Sequence, residues 1–252
     1  MLSKRIIAAL DIKDGRVVKG IQFEDIREVG DPVESAVVYE EQGIDEIVFL
    51  DITASHEKRG ILKALATAVA CSLSIPFTVG GGLSSVTDMK EVIKTGADKV
   101  FINSAAFKNP QLIKEAAKVI GSANICVAVD AKKTGEVWTV YINGGRLNTG
   151  QDALDWCRTC EQLGAGEILL TSMDTDGVRE GFDIPLTKKV CEAVNIPVIA
   201  SGGAGCIGDF VDIFEQTNAS AALAASIFHY GTVNITDLKN ELERAGINVR
   251  TV

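Results

Sequence analysis

The sequence predicts a closed (β/α)8 TIM barrel with a two-fold internal repeat. Short runs rich in β-branched residues alternate with helical patterns from one end of the chain to the other. The runs are apolar along their whole length, as in parallel sheets that helices cover on both faces. Residues 197–203 repeat residues 76–82, and residues 164–168 repeat residues 43–47, in both cases 121 positions later. An open doubly wound sheet is the alternative, but eight βα units in two even halves favour closure.

Eight strands and eight helices can be assigned in order along the chain. Strands are expected near residues 5–11, 46–51, 76–80, 99–103, 125–130, 167–171, 197–201 and 220–225. Helices are expected near residues 32–42, 59–71, 85–95, 109–120, 151–163, 184–194, 207–217 and 235–245. No linker, low-complexity stretch or block of charge interrupts the series. Residues 1–252 are therefore expected to form one domain.

Composition narrows the class of protein. Of the 252 residues, 46% are hydrophobic and 23% are charged, which is ordinary for a globular chain with a large core. The net charge of −9 argues against a nucleic-acid-binding protein. No apolar run is long enough to cross a membrane, the first residues lack a signal-peptide pattern, and the six cysteines follow no secreted framework. We therefore expect a cytoplasmic protein in which Cys157 and Cys160 are reduced thiols on a helix rather than a redox or zinc pair.

Glycine clusters follow several strands at the end where barrel enzymes keep their chemistry. Glycine lets the backbone approach a phosphate closely, so that several N–H groups can converge on it. Residues 80–82 can combine with residues 102–105, and residues 176–177 can combine with residues 201–205 and 224–226. For either cluster alone, glycines that merely permit tight turns are an equal alternative. Two clusters at symmetric positions, each beside a hydroxyl residue, favour two phosphate sites.

Two aspartates occupy equivalent positions in the two halves. Asp11 and Asp130 end the first and fifth strands, which face each other across an eight-stranded barrel. Opposed carboxyl groups can divide the roles of acid and base when their surroundings separate their pKa values. Capping of the following turn is the alternative, but the duplication favours catalysis. Residues 13–31, with three glycines, are expected to form a mobile lid from which Lys19 brings a cation onto bound substrate.

Charged residues stand at the opposite ends of the strands. Arg5, Glu46, Lys99 and Glu167 begin the first, second, fourth and sixth strands, and their charges alternate in sign. They could form a ring of paired charges that closes the floor of the barrel, or they could be four ordinary rim charges. The two histidines of the chain are far apart and have no ligand spacing, so we expect no metal site and no other cofactor.

Eight stretches of the sequence carry a resemblance to a known family. They are residues 4–7, 10–11, 15–20, 49–55, 79–82, 96–100, 164–172 and 200–205. Single glycine motifs occur in many barrels, but this combination is specific and spans the whole chain. Together the stretches resemble the cyclase subunit of imidazole glycerol phosphate synthase.

The resemblance implies a lyase of histidine biosynthesis with a (β/α)8 fold. Its substrates are ammonia and a bisphosphorylated ribulosyl aminoimidazole-carboxamide nucleotide (PRFAR). Its products are imidazole glycerol phosphate and aminoimidazole-carboxamide ribotide (AICAR). The resemblance also implies a heterodimer, in which a glutaminase subunit docks on the floor of the barrel and supplies ammonia through the barrel interior.

The same resemblance implies roles for individual residues. Acid–base catalysis falls on Asp11 and Asp130, contact of a flexible loop with the substrate on Lys19, and contact with the glutaminase on Asp98. One phosphate falls on Gly82, Asn103 and Ser104. The other falls on Asp176, Gly177, Gly202, Gly203, Ala225 and Ser226. The ammonia gate falls on Arg5, Glu46, Lys99 and Glu167.

The sequence departs from the family pattern at a few positions. Ala9 stands where a cysteine is usual and Ser104 where a threonine is usual, while Thr175 and Val178 replace an arginine and a threonine near the second phosphate. Three alternatives stay open: the sister isomerase of the same pathway, a non-catalytic relative that binds a phosphorylated ligand or scaffolds a glutaminase, and a duplicate cyclase that serves sugar amidation. The complete set of floor charges and residues 16–20 favour the cyclase over the isomerase. The two retained aspartates argue against a non-catalytic relative.

Overall fold

The computed structural model describes residues 2–21, 24–52 and 59–251. Its strands are β1 (Arg5–Lys13), β2 (Arg16–Ile21), β3 (Glu24–Gly30), β4 (Glu46–Asp51), β5 (Phe77–Gly80), β6 (Lys99–Ile102), β7 (Ile125–Thr134), β8 (Val137–Ile142), β9 (Leu147–Asp152), β10 (Glu167–Ser172), β11 (Val198–Ser201) and β12 (Ala221–Ala224). Eight of them pair in parallel in the order β1, β4, β5, β6, β7, β10, β11, β12. Since β12 pairs with β1 and β7 pairs with β10, the parallel sheet closes on itself. The predicted barrel is confirmed.

Helices follow the barrel strands and cover the outside of the sheet. They are α1 (Pro32–Glu41), α2 (Arg59–Ser72), α3 (Val86–Lys94), α4 (Ser104–Lys108), α5 (Gln111–Ile120), α6 (Ala153–Leu163), α7 (Ile184–Ala193), α8 (Ile207–Gln216), α9 (Ser226–His229) and α10 (Ile235–Arg244). Capping repeats across the two halves. Asp31 Oδ1 accepts the N–H of Val33 at 2.8 Å, and Asp152, 121 positions later, accepts that of Leu154 at 2.8 Å. Each carboxylate satisfies amide groups that the first helical turn leaves unpaired.

Two hairpins extend the barrel at symmetric positions. After β1, the strands β2 and β3 continue the sheet in antiparallel pairing, so the segment that was expected to be a loop forms a β-ribbon. After β7, the strands β8 and β9 form a second antiparallel ribbon that the sequence analysis missed. The sequence signal was present, because residues 137–142 are all β-branched or aromatic and are followed by Asn143, Gly144 and Gly145, all with positive φ.

Each barrel strand separates two apolar cores, because successive side chains point to opposite faces of a sheet. The larger core lies between strands and helices and takes Ile6 and Leu10 from β1. The smaller core fills the barrel interior and takes Ile7 from the same strand, together with Val48 and Phe101. The helices therefore pack on the outward side chains, and the inward side chains are left to form the site.

The cysteines are unpaired, and two of them are fully buried on one helix. Cys157 and Cys160 lie in α6, and burial raises the pKa of the Cys157 thiol to about 12. A protonated thiol in an apolar setting is neither a nucleophile nor a metal ligand, which agrees with a packing role. None of the helices among the described residues has the length and apolarity that crossing a bilayer requires.

Candidate active site

The inward side chains of the barrel stack in three layers. On β1, the alternation that points Ile7 into the barrel also points Arg5 inward at the floor and Asp11 inward at the mouth. On β7, the same count places Cys126 in the interior and Asp130 at the mouth. The charged residues predicted from the sequence thus lie at the two ends of the barrel interior, which we call the bore. An apolar layer separates the two groups.

The floor layer is a closed ring of four charges. Arg5 Nη1 donates to Glu46 Oε2 at 2.6 Å, and Arg5 Nη2 donates to Glu167 Oε1. Lys99 Nζ completes the ring, at 2.9 Å from both oxygens of Glu46 and 2.7 Å from Glu167 Oε2. The hydroxyl of Thr78 adds a further hydrogen bond to Glu46 at 2.8 Å. The four residues were predicted either to pair or to stand apart, and in the structure they pair.

Burial and the neighbouring carboxylates have opposite effects on the pKa values of the two cations in this ring. Burial alone would lower the pKa of Lys99, but the carboxylates of Glu46 and Glu167 outweigh it and raise that pKa. The same balance raises the pKa of Arg5. Both cations therefore stay charged, which keeps the two buried carboxylates compensated.

Among the described residues, the carboxyl groups of Asp11, Asp130 and Asp176 lie together at the mouth. Burial, reinforced by the negative charge of Asp176, raises the pKa of Asp11 to about 6. Burial also raises the pKa of Asp130 to about 6, although the hydrogen bond from Asn103 Nδ2, 2.8 Å from Asp130 Oδ2, opposes the shift. Burial raises the pKa of Asp176 as well, while the backbone N–H of Gly177 lowers it. With pKa values of about 6, Asp11 and Asp130 can both hold and release protons in this pH range, as acid–base catalysis requires.

The first glycine cluster lies beside this mouth. Gly81 has φ +105°, and a Cβ there would lie 2.2 Å from the backbone oxygen of Asp51, so only glycine fits. The next strand along the barrel, β6, is followed by Asn103 and then by Ser104, which begins α4. The hydroxyl oxygen of Ser104 accepts the backbone N–H of Asn143 at 2.8 Å, which fixes the turn of the second ribbon against this cluster.

The second glycine cluster lies at the symmetric position. Gly203 has φ +107°, and a Cβ there would lie 2.0 Å from the backbone oxygen of Gly181. Thr175 donates its hydroxyl to the backbone oxygen of Gly202 at 3.0 Å. Thr175, at the position where the resemblance implies an arginine, thus supports the backbone of the cluster. Ala225 and Ser226 follow the neighbouring strand, where Ser226 begins α9.

Comparison with known proteins places the chain in a family. A family model described as "Histidine biosynthesis protein" matches residues 5–234. A protein of Petrotoga mobilis named "Imidazole glycerol phosphate synthase subunit HisF" is 64% identical over 252 residues, which cover 99% of this chain and 100% of the relative. Proteins of the same name from Thermococcus onnurineus and Pyrococcus furiosus are 63% and 62% identical over 250 residues, or 99% of both chains. The chain belongs to the HisF family.

Membership of the HisF family confirms the resemblance that the sequence motifs carried. It also agrees with the fold, since the eight parallel strands and their helices span the region that the family model matches. The relatives carry the name of the synthase subunit and not that of the sister isomerase. The roles that the HisF resemblance implies for single residues stay predictions.

Some of the predicted HisF site residues lie away from the mouth or outside the described part. Lys19 lies in β2, where it pairs with Arg27, but its side chain is not among those that the structure describes. Residues 53–58, which include part of one family motif and His56, also lie outside the described residues. Asp98 lies at the floor beside Lys99, where its Oδ2 accepts the N–H of Phe77 at 2.9 Å.

Sequence reasoning missed two residues that contact the HisF candidate site. Thr78 precedes Gly80 by two positions on β5, so the period of the strand could have placed it over the floor ring. Asn143 contacts Ser104 from 39 positions away, and only the register of the second ribbon determines that contact. Among the described residues, no group of three or more His, Cys, Asp or Glu side chains is arranged to hold a metal ion.

Proposed function

We propose that the chain is the cyclase subunit of imidazole glycerol phosphate synthase, a lyase of histidine biosynthesis. It joins ammonia to PRFAR and releases imidazole glycerol phosphate and AICAR. One observation carries the proposal: a single bore holds two raised-pKa carboxyl groups at its mouth and a closed ring of four charges at its floor. This arrangement suits a reaction in which a small molecule arrives at one end and an extended substrate binds at the other.

The substrate has two phosphates, and the mouth has two glycine clusters. Gly82, Asn103 and Ser104 bind one phosphate, and Asp176, Gly177, Gly202, Gly203, Ala225 and Ser226 bind the other. The clusters are related by the internal repeat, and each contains glycines whose backbone a side chain would obstruct. A molecule held at both ends places its middle between Asp11 and Asp130.

Asp11 and Asp130 share the proton transfers of cyclisation and bond cleavage. Because the pKa of each group is raised to about 6, each can exist in its protonated and in its ionised form near pH 6, so one can donate a proton while the other accepts one. Lys19 adds a positive charge from the first ribbon when the substrate is bound. No step of this scheme needs a metal ion or an organic cofactor.

Ammonia enters through the floor. The ring of Arg5, Glu46, Lys99 and Glu167 closes the bore, so passage requires one of its side chains to move. Lys99 is the best candidate, because its single ammonium group sits on a flexible stem and the Arg5 guanidinium is held as a rigid fork. A glutaminase subunit docked over this floor, with Asp98 in the contact, delivers the ammonia in a heterodimer.

A turnover assay with ammonium salt and PRFAR tests the catalytic part of the proposal. Asp11→Asn and Asp130→Asn should each lower kcat by roughly a hundred- to ten-thousand-fold, the usual worth of a positioned acid or base. Asp155→Asn, which neutralises an exposed carboxylate on α6, is the matched control and should leave kcat unchanged. Full turnover in both site variants would refute the assignment.

A further inference from the structure

The internal repeat makes Asn103 and Ala225 equivalent positions. Each directly follows its barrel strand, β6 or β12, and each precedes a short helix that begins with serine. Their backbones have nearly the same unusual conformation, with φ −124° and ψ −94° at Asn103 and φ −123° and ψ −75° at Ala225. The two positions therefore differ in their side chains and not in their backbone geometry.

The two positions also stand beside the two aspartates in the same way. The strand before Asn103 pairs with β7, which carries Asp130, and the strand before Ala225 pairs with β1, which carries Asp11. Asn103 donates its amide N–H to Asp130 Oδ2 at 2.8 Å. A methyl group at Ala225 has no proton to donate. The repeat has thus kept both carboxyl groups but has given a side-chain amide donor to only one of them at this position.

Among the described residues, the partners of the aspartates in the strand register are uncharged, and for Asp11 this partner is Leu50 of β4. The charge of Asp176 acts on both Asp11 and Asp130 in the same direction. In the strand register Asp130 stands opposite Thr171 of β10, which is uncharged, and opposite Tyr141 of β8, whose hydroxyl accepts a hydrogen bond from Asn148. Two residues further along β7, Lys132 is exposed to solvent.

We propose that Asn103 is a positioning residue that orients Asp130 and favours its ionised form, so that Asp130 acts as the base, while Asp11, which receives no side-chain amide from the equivalent position Ala225, acts as the acid. This inference rests on the proposed acid–base function of the pair. A hydrogen bond donated to a carboxylate stabilises the charged form over the neutral one. The hydrogen bond from Asn103 thus lowers the affinity of Asp130 for a proton below the affinity that burial alone would give it.

The direct test is an NMR titration of the aspartate carboxyl carbons in the natural chain and in Asn103→Ala. Signals of Asp11 and Asp130 are assigned by their loss in the respective Asp→Asn variants. Loss of a hydrogen bond to a charged group should raise the apparent pKa of Asp130 by about one pH unit and leave that of Asp11 in place. Ala225→Asn is the reciprocal variant and should lower the apparent pKa of Asp11. An Asp130 titration that Asn103→Ala does not move would overturn the proposal.

Kinetics separate this role from simple phosphate binding. In Asn103→Ala the acidic limb of the pH profile of kcat should move to higher pH by about one unit. At pH values below this limb kcat should therefore fall about tenfold. Ser104→Ala disturbs the same cluster without touching Asp130, so it should raise KM and leave the kcat profile in place. An Asn103→Ala variant that raises KM alone contradicts the proposal. The NMR titration does not depend on turnover, so it tests the role of Asn103 alone. Full activity of Asp11→Asn and Asp130→Asn would refute the proposed catalysis, whatever the titration shows.

Discussion

Removal of one negative charge from the floor ring should destabilise the barrel strongly. The side chain of Glu46 is only 2% exposed and accepts hydrogen bonds from Arg5, Thr78 and Lys99. In Glu46→Gln a single amide oxygen replaces two carboxylate oxygens, and the new N–H group faces cations that also donate. Breaking a buried ion pair costs about 3–5 kcal/mol. The side chains of Arg5 and Lys99 are 28% and 16% exposed, so water can partly solvate the cations that lose their partner. We therefore expect Glu46→Gln to lower the free energy of unfolding by roughly 2–4 kcal/mol.

Thermal unfolding followed by circular dichroism measures the effect. For a chain of this length, 1 kcal/mol shifts Tm by about 2–4 °C, so Glu46→Gln should lower Tm by about 4–16 °C. Asp155→Asn is the control, because it breaks an ion pair with Arg158 in which the side chains are 62% and 48% exposed. Such a pair is worth about 0–0.5 kcal/mol, and the control should shift Tm by less than about 2 °C. A Glu46→Gln shift as small as that of the control would refute the reasoning.

Two further predictions concern Asp11 and Asp98. Folding raises the pKa of Asp11 from 3.8 to about 6 and so favours its protonated form; its carboxylate therefore destabilises the fold above pH 6, and this effect vanishes below about pH 4. Asp11→Asn should accordingly raise the free energy of unfolding by about 1–3 kcal/mol at pH 8 and hardly at pH 4, and urea titrations that show no gain at pH 8 would contradict it. Asp98→Asn keeps an oxygen for the N–H of Phe77 but removes the charge, so it should weaken titrated binding of the glutaminase at least tenfold, with Asp155→Asn as the unaffected control. Unchanged affinity would move the docking contact away from Asp98.

The barrel and the positions of its charged residues could be predicted because both follow from local periodicity. Continuous apolar runs identified the buried parallel strands, and the period of two then placed Arg5 and Asp11 on the same face of one strand. The repeat supplied the partner positions in the second half. These inferences need no knowledge of how distant side chains meet.

The ribbons and the contacts of the mouth could not be predicted in the same way. Residues 13–31 contain glycines that suggested a mobile lid, but in their described part, residues 13–21 and 24–31, antiparallel pairing of β1 with β2 and of β2 with β3 forms a ribbon. The hydrogen bond between Asn103 and Asp130 joins neighbouring strands, and its existence depends on which of several polar side chains at the mouth turns toward the carboxylate. Sequence placed Asn103 at a phosphate, and the structure adds its contact with Asp130.

The two cores of the barrel separate the lining of its interior from the packing that stabilises it. Most of the buried apolar side chains lie outside the barrel, between its strands and the helices. The inner core is a small set that includes Ile7, Cys126 and Ala128. A substitution of matching volume on the inner wall leaves the helix contacts intact. Side chains of the inner wall can therefore change, for a wider or more polar interior, at little cost to the stability of the surrounding scaffold.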